Sequence, residues 1–413
     1  MRNFLSIIIV TISLITTSPA SANTNATRMA RDGMDMLMRL EFDRAILAFE
    51  HLESRFPDYP MNSVLKASVY WIKAEASQGD MKKRAWDEAF FQLTRAIDIA
   101  KQGLEKHPDN HLWKLNLGMA TFFAGRAEVA RHNTLKAMRY ARKSRDILRS
   151  LIKERPDTED AYFVLGMYEY LAGSVPRGQR WITYILDMSG DRELGIRYLE
   201  RTTTRGEIMA PEAARILLAA AAVQPEYNDP CKYIPLARDT RKKYPQNPHY
   251  SAALQLILAH CGYPKESLAE NERAFRVYLE RFPDMTDSLN LAKLQVYPAM
   301  GALEEIEKLA PLFKSKNYFH WYLAKAQALD VLGQRKKAVA MYLELEMAVD
   351  NPDESTLFTD MPPDSVYEKA RVYLKKPYRR SEPARIDKNT APVLNVPGAT
   401  FARRFTLKSI SQQ

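Results

Sequence analysis

Short segments containing proline recur along this chain, and each one separates two stretches whose apolar residues have helical spacing. In all six, Pro lies beside Asp or Asn: RFPDYP, KHPDN, ERPDTED, KYPQNP, RFPDMTD and DNPDE. Proline ends a helix because it lacks a backbone N–H, and Asp or Asn caps the next helix by accepting hydrogen bonds from its first N–H groups. The pattern therefore predicts helices in series and an all-α fold, which the low glycine content (15 of 413 residues) also favours.

Two units near opposite ends of the chain share one plan. In the first, Gly33 lies where two helices must approach closely and Phe49 lies on the packing face; in the second, Gly333 forms the turn and Tyr342 the packing face. These spacings resemble the tetratricopeptide repeat (TPR), a helix-turn-helix unit of about 34 residues. The resemblance implies an α-solenoid, a right-handed superhelix of such units, with irregular, elongated central repeats.

The sequence patterns divide the chain into four parts. Residues 1–22 are predicted to be a signal peptide, and 23–208 an N-terminal TPR-like array with long helices and an insertion at 173–190. Residues 209–376 are predicted to be a C-terminal TPR-like array, ending in a capping helix from Ser365 to Lys375. Residues 377–413 form a basic tail that we expect to be flexible. Within the first array we expect a helix from Asn62 to Ala76 and one very long basic helix from Arg126 to Arg155.

The first 22 residues carry Arg2, an apolar stretch from Phe4 to Ile15 and the small residues Ala20-Ser21-Ala22. This order is typical of a secretory signal peptide, with cleavage expected before Asn23. An uncleaved membrane anchor is the alternative, although it needs a longer apolar run of about 20 residues. The sequence thus predicts an exported protein, located in the periplasm or at the outer-membrane periphery of a Gram-negative bacterium.

The only two cysteines are Cys231 and Cys261. Cys231 begins the second helix of one unit and Cys261 ends the first helix of the next. In a stacked array these two helix ends meet, so we predict a disulfide, which export would allow to persist. His249 and His260 lie nearby, and a metal site is the alternative.

The segment from Asp160 to Leu199 resembles a more specific group. The combination of aromatic-rich helix, proline-containing insertion and Gly-Asp-Arg turn is similar to exported bacterial TPR proteins distantly related to the tetratricopeptide repeat protein 39 family. That resemblance implies a scaffold role and supplies no catalytic residues. The chain departs from the pattern at Met188-Ser189. The matching residues are Asp160, Ala161, Leu165, Gly166, Tyr168, Tyr170, Pro176, Gly190, Asp191, Arg192 and Gly195.

The turn also has a purely physical interpretation. Gly190 permits a positive φ, Asp191 can cap the following helix, and Gly195 permits close helix packing. The functional alternative is that Asp191 and Arg192 form a ligand site.

Two segments are candidates for surface contacts. The basic helix offers Arg139, Arg142, Lys143 and Arg149, which form either a solvated face or the contact for an anionic partner. The insertion offers Arg177, Arg180, Trp181 and Tyr184, which either pack inside the superhelix or contact a partner or a membrane surface. The signal peptide and the lack of an aromatic stacking pattern argue against nucleic acid.

No Gly-rich phosphate loop, His-Glu-x-x-His or Gly-x-Ser-x-Gly motif occurs. We therefore predict a non-enzymatic scaffold without cofactor or metal, which binds a protein or peptide in its concave groove. The alternatives are a peripheral binder of anionic lipid or lipopolysaccharide, or a solenoid that encloses a small apolar ligand. The partner and the oligomeric state stay open. The possible groove residues, all on first helices of units, are Leu112, Leu115, Met119, Phe163, Met167 and Tyr170.

Overall fold

The computed structural model describes residues 19–77, 79–174, 189–223, 229–278, 286–313, 318–350 and 364–379. These residues form 17 α-helices and one short 3-10 helix, Pro230–Tyr233. The helices are α1 Pro19–Met38, α2 Phe42–Arg55, α3 Asn62–Ala76, α4 Gly79–Lys106, α5 His111–Ala130, α6 Thr134–Glu154, α7 Ala161–Gly173, α8 Arg192–Arg205, α9 Ala210–Val223, α10 Ile234–Lys243, α11 Pro248–His260, α12 Pro264–Tyr278, α13 Thr286–Met300, α14 Leu303–Phe313, α15 Tyr318–Val331, α16 Arg335–Asp350 and α17 Asp364–Lys375.

The helices pack in the order of the sequence. Each helix contacts the next one along the chain, and each odd-numbered helix also contacts the next odd-numbered helix, from α1 through to α17. This is the contact pattern of stacked helix pairs, in which the first helices form one layer and the second helices another. The predicted all-α solenoid is therefore confirmed, and α3 has the predicted bounds, Asn62–Ala76.

Close crossings depend on glycine where the sequence indicated. A Cβ atom at Gly33 would lie 2.4 Å from Cε1 of Phe49, so only glycine fits between α1 and α2. Gly195 in α8 lies against α7 in the same way, since its Cβ would lie 2.5 Å from the backbone nitrogen of Tyr170. Gly333 has a φ of 75° in the turn between α15 and α16. These three predicted roles are confirmed.

The very long basic helix is a wrong prediction. α5 extends to Ala130, a turn follows, and α6 begins at Thr134. Within the turn His132 has a φ of 65°, a left-handed conformation that interrupts the helical hydrogen bonds. The backbone N–H of Asn133 then bonds the carbonyl of Glu128. Consequently Arg126 belongs to α5, and only the residues from Thr134 onward form the basic helix.

One continuous core joins the two predicted arrays. Buried apolar residues from Ala26 to Leu258 form a single cluster that crosses the predicted boundary at 208/209. The carboxylate of Asp160, at the start of α7, accepts hydrogen bonds from the backbone N–H groups of Ile208 and Met209 at 3.0 Å. The polar link and the shared core therefore bind the two sides of that boundary together. Smaller clusters follow in α13–α17.

The first helix closes back onto the middle of the array. α1 contacts α9, and the Asp35 carboxylate in α1 accepts hydrogen bonds from the Tyr244 hydroxyl (2.6 Å) and the Lys243 ammonium (3.0 Å). The side-chain amide of Asn247 donates to the carbonyl oxygen of Met38 at 2.7 Å. In an open superhelix the first helix contacts only its near neighbours. Here α1 also contacts α9 and the residues between α10 and α11.

The predicted capping helix is present as α17. It packs on α16 and α15, and the Arg335 guanidinium bonds the carbonyl oxygens of Tyr373 and Leu374 at its C-terminal end. Arg335 is itself held by the fully buried carboxylate of Asp330. The predicted signal peptide up to residue 18 and the tail from 380 onward lie outside the described residues. Within the described ones, no helix is both long and apolar enough to cross a membrane.

Cys231 and Cys261 form the predicted disulfide, with Cα atoms 5.5 Å apart and a sequence separation of 30. Cys231 lies in the 3-10 helix before α10, and Cys261 caps the end of α11. The alternative metal site is wrong, because both sulfur atoms are bonded to each other. His260 instead hydrogen-bonds the carbonyl oxygen of Ala222 at 3.0 Å.

Candidate functional site

The residues predicted to line a concave groove lie in the core. Leu115, Met119, Phe163, Met167 and Tyr170 are each at most 3% exposed, and Leu112 is partly buried against them. The reason is that α5 and α7 are surrounded: Leu115–Glu128 and Ala161–Tyr170 are buried on every side of their helices. These six positions therefore stabilise the fold and present no open groove.

A buried ionic network joins three first helices. The carboxylate of Glu75 in α3 pairs with Arg126 in α5 at 2.6 Å and with Arg215 in α9 at 3.2 Å. Arg215 makes two further bonds, of 2.7 and 2.6 Å, to the carboxylate of Glu212. Two carboxylates and two guanidinium groups balance in charge, so the network needs no added ion. Its role is structural, and Arg126, the first residue of the predicted long basic helix, lies inside the protein.

The Gly-Asp-Arg turn is also structural. Asp191 accepts a hydrogen bond from the backbone N–H of Leu194 at 3.0 Å, as predicted for a cap, and Arg192 donates to the Ser174 hydroxyl at 3.1 Å. The prediction of a positive φ at Gly190 is wrong, since only Gly262, Gly301 and Gly333 have one among the described glycines. Gly190 is required instead for packing, because its Cβ would lie 2.5 Å from that of Ala172. Arg177, Arg180, Trp181 and Tyr184 lie outside the described residues.

The outer face of α6 carries a row of exposed cations. Lys136, Arg139, Arg142 and Lys143 are exposed, whereas the ion pairs of the neighbouring residues involve Arg131, Arg145 and Arg149. Among the described residues, none of those four exposed cations has a carboxylate partner. We call this row the basic face.

Arg149, the fourth cation predicted for this helix, has a different role. It is half exposed and pairs at 2.6 Å with Glu169 in α7, whose side chain is 3% exposed. The other carboxylate oxygen of Glu169 accepts the backbone N–H of Asp191 at 3.0 Å. Arg149 therefore contributes to the contact between α6, α7 and the Gly-Asp-Arg turn.

A pocket of about 460 Å³ opens beside the basic face. Its wall is Phe90 of α4 and Tyr140 of α6, and its base is the end of α5 with Glu128 and Arg131. We call it the α4–α6 pocket. The full set of lining residues is Phe90, Glu128, Arg131, Lys136, Arg139, Tyr140 and Lys143.

The interior side of the pocket is fixed by several contacts. The Arg131 guanidinium lies 4.3 Å from the centre of the Phe90 ring, and it is held there by Asp87 at 3.4 Å and Glu128 at 3.6 Å. Glu128 is 2% exposed and also accepts a 2.6 Å bond from the side-chain amide of Asn133. Cation–π and ionic contacts thus hold the aromatic wall and the turn in one arrangement.

The pocket is electropositive. Its lining has four cations against one carboxylate, a formal balance of +3. α6 begins beside it without an acidic residue in its first turn, so the positive end of the helix dipole adds to the same potential. Burial, and then the nearby Glu128 charge, raise the pKa of the Tyr140 hydroxyl. Tyr140 is therefore a neutral hydrogen-bond donor at physiological pH.

Sequence reasoning found two of these lining residues, Arg139 and Lys143, and missed the others. Lys136 lies on the same stripe of α6 and was included only in the general charge of the region. Phe90 belongs to α4, and nothing in the local sequence places it beside α6. Arg131 was expected within the single long basic helix and lies instead in the turn three residues before α6. Neither a family model nor a curated protein sequence matches this chain.

Proposed function

We propose that this protein is a non-enzymatic helical-repeat scaffold of the bacterial cell envelope, which binds a protein partner through an acidic segment docked on the basic face of α6. The observation that carries the proposal is the row of exposed cations without carboxylate partners beside an open, electropositive pocket. Each of these cations projects from a helix that is packed against α5, so the row is presented on a rigid support.

Charge of this kind favours fast and selective association. An uncompensated positive row attracts an acidic segment over about one Debye length, roughly 8 Å at physiological salt, and repels basic competitors. The predicted concave groove has less support as the binding surface, because its residues fill the core. For the same reason the enclosed small apolar ligand has less support than a partner bound outside.

A peripheral contact with an anionic lipid surface is the second candidate, and the same exposed cations favour it. A flat surface would touch the tips of Arg139, Arg142 and Lys143 and leave the α4–α6 pocket empty. An extended protein segment can place a side chain inside. The pocket therefore favours the protein partner.

The test is affinity capture from envelope extracts with three forms of the mature protein. The first is the wild type, and the second carries R139E, R142E and K143E. The third is a matched control, K242E, K265E and R276E, which reverses three exposed cations of α10–α12.

We expect a partner that wild type and control retain, that the α6 variant loses, and that high salt releases. Capture of the same proteins by all three forms would contradict the proposal. Sedimentation of the wild type with anionic vesicles, together with loss of sedimentation in the α6 variant and no specific protein partner, would replace it with the lipid-surface alternative.

A further inference from the structure

The α4–α6 pocket has an aromatic wall and a basic rim, and this combination narrows the chemistry of its occupant. Phe90 and Tyr140 present apolar ring surface, while Lys136, Arg139 and Lys143 surround it with exposed positive charge. A volume of about 460 Å³ falls in the range of pockets that hold an organic group, roughly 300–1,000 Å³. A simple inorganic anion would leave the ring surface uncovered.

We propose that the α4–α6 pocket receives one aromatic or large aliphatic side chain of a partner segment whose neighbouring residues are acidic. This inference rests on the proposed function, since it describes how the acidic segment is held. The apolar side chain lies against Phe90 and Tyr140, and the flanking carboxylates pair with Lys136, Arg139 and Lys143.

The pocket is prepared for such an anchor before binding. Arg131 lies over Phe90 at 4.3 Å and is fixed by two carboxylates, so the ring is already held in place. Binding therefore does not have to order Phe90 or Arg131, which reduces the entropic cost of association. Anchors in small pockets surrounded by polar contacts are also the usual arrangement of energetically dominant residues at protein interfaces.

The surface around the pocket continues beyond it. Leu135, next to Lys136, is 55% exposed, and Phe91, next to Phe90, is 60% exposed. Large exposed side chains of this kind on both helices extend the contact surface past the cavity. An extended segment can use them, whereas a small molecule confined to the pocket cannot.

The buried carboxylate of Glu128 sets the position of the negative groups. It is one of the lining residues and is 2% exposed, so a carboxylate placed beside it is less favoured than one placed beside the exposed cations of α6. The position beside Glu128 and the rings therefore suits the apolar side chain. The acidic residues stay at the rim, beside the exposed cations.

The experiment measures binding of a fluorescently labelled nine-residue peptide by anisotropy. The peptide has a central phenylalanine with aspartates on both sides. A second peptide replaces the phenylalanine with serine, and a third keeps it and replaces the aspartates with serine.

Each change in the peptide removes one half of the proposed recognition. We expect both altered peptides to bind at least tenfold more weakly than the first, because one loses apolar burial and the other its ion pairs. On the protein side, Phe90→Ser should weaken binding of the first peptide about tenfold. The matched control Tyr263→Ser, which removes an exposed aromatic ring between α11 and α12, should change binding less than threefold. The peptide changes test the anchor even if the Phe90 variant folds poorly.

The possible outcomes separate this inference from the proposed function. If the serine-centred peptide binds as well as the first, the anchor is refuted while an acidic segment on the basic face still stands. If the first peptide binds at Phe90 but the α6 variant captures the same envelope proteins as the wild type, the proposed function fails. If phenylacetate alone abolishes peptide binding at concentrations near the peptide's own dissociation constant, the pocket belongs to a small aromatic acid and the peptide inference is wrong.

Discussion

Replacing Arg215 with Met should expose how far the fold depends on the buried ionic network. The Glu212 side chain is fully buried, and Arg215 is its described partner, through hydrogen bonds of 2.7 and 2.6 Å. Met has a similar length and no charge. The variant therefore leaves a carboxylate inside the protein with its main counter-charge removed.

The expected cost is large. Removing one member of a buried ion pair destabilises a protein by about 3–5 kcal/mol, because the remaining charge stays desolvated. A matched control is Lys101→Met, which breaks the Lys101–Asp98 pair at the same i,i+3 spacing. That pair is 3.0 Å long, with side chains 48% and 67% exposed. Its loss should cost no more than about 1 kcal/mol.

The destabilisation caused by Arg215→Met should become smaller as the pH falls. Burial raises the pKa of Glu212, and the charge of Arg215 acts in the opposite direction. Without Arg215 that folded-state pKa rises further above the unfolded value. The folded variant then binds a proton more readily than the unfolded chain, so its deficit shrinks as the pH falls through the folded pKa. The double variant R215M/E212Q removes the charge altogether and should recover most of the loss at neutral pH.

Urea unfolding followed by tryptophan fluorescence provides the measurement, since Trp71 lies in the same core and Arg126 contacts its ring. The first transition midpoint is compared at pH 7.5 and pH 5 for the four proteins. A cost for Arg215→Met no larger than that for Lys101→Met, or no recovery in R215M/E212Q, would refute the conclusion that the network is desolvated and structurally required.

Three further predictions concern other contacts. Replacing Cys231 and Cys261 with Ser should lower the free energy of unfolding by about 3–4 kcal/mol, the chain-entropy value for a 30-residue loop. The native protein should show no free thiol when it is denatured without reductant. Burial raises the pKa of Asp160 from 3.8 to about 6. The contribution of Asp160 to stability is therefore greatest below pH 3.8 and declines as the pH rises through 6. In urea titrations the free energy of unfolding of the wild type, relative to that of Asp160→Asn, should fall by up to about 3 kcal/mol between pH 4 and 7. Gly195→Ala should lower the free energy of unfolding by about 3 kcal/mol, because the new methyl group meets the backbone at Tyr170. An unchanged midpoint of thermal or urea unfolding would show that α7 and α8 separate easily.

The helix order, the disulfide and the end cap follow from local signals. Asn62–Ala76 has the bounds that were predicted, because proline, small residues and capping side chains act within a few positions of themselves. The same reasoning placed Cys231 beside Cys261, since it needs only the antiparallel order of neighbouring helices. These parts of the structure are determined by contacts between adjacent units.

Features that depend on distant contacts could not be predicted in this way. Leu115 and Phe163 have the apolar character of groove residues and of core residues alike, and only the packing of helices on every side decides between them. Arg126 was predicted to begin the long basic helix, although it pairs with Glu75 inside the protein. One signal was available: Arg126 is flanked by Ala124, Gly125 and Ala127, which is typical of a close helix contact rather than a solvated face.

In the candidate site, too, local features could be predicted and features that depend on distant contacts could not. The cations of α6 were visible as a charge pattern, whereas the pocket required Phe90 to be brought from α4 and Arg131 from the turn after α5. The turn between α5 and α6 could not be predicted from the sequence, because Arg131-His132-Asn133 contains no glycine or proline. His132 nevertheless adopts a conformation in which glycine is usual.

The contact of α1 with α10 and α11 also governs how this protein can fold. A linear repeat array can nucleate anywhere and grow by adding neighbours. Here the bond between Asp35 and Tyr244 joins residues 209 positions apart, so closing it costs more chain entropy than a contact between neighbouring helices does. While the chain is being made, α1 can pack against α2 and α3 early, whereas its contacts with Lys243, Tyr244 and Asn247 form only after the start of α11 has been made. The surface of α1 that contacts α9 and Tyr244 is therefore covered only after more than half of the chain has been made.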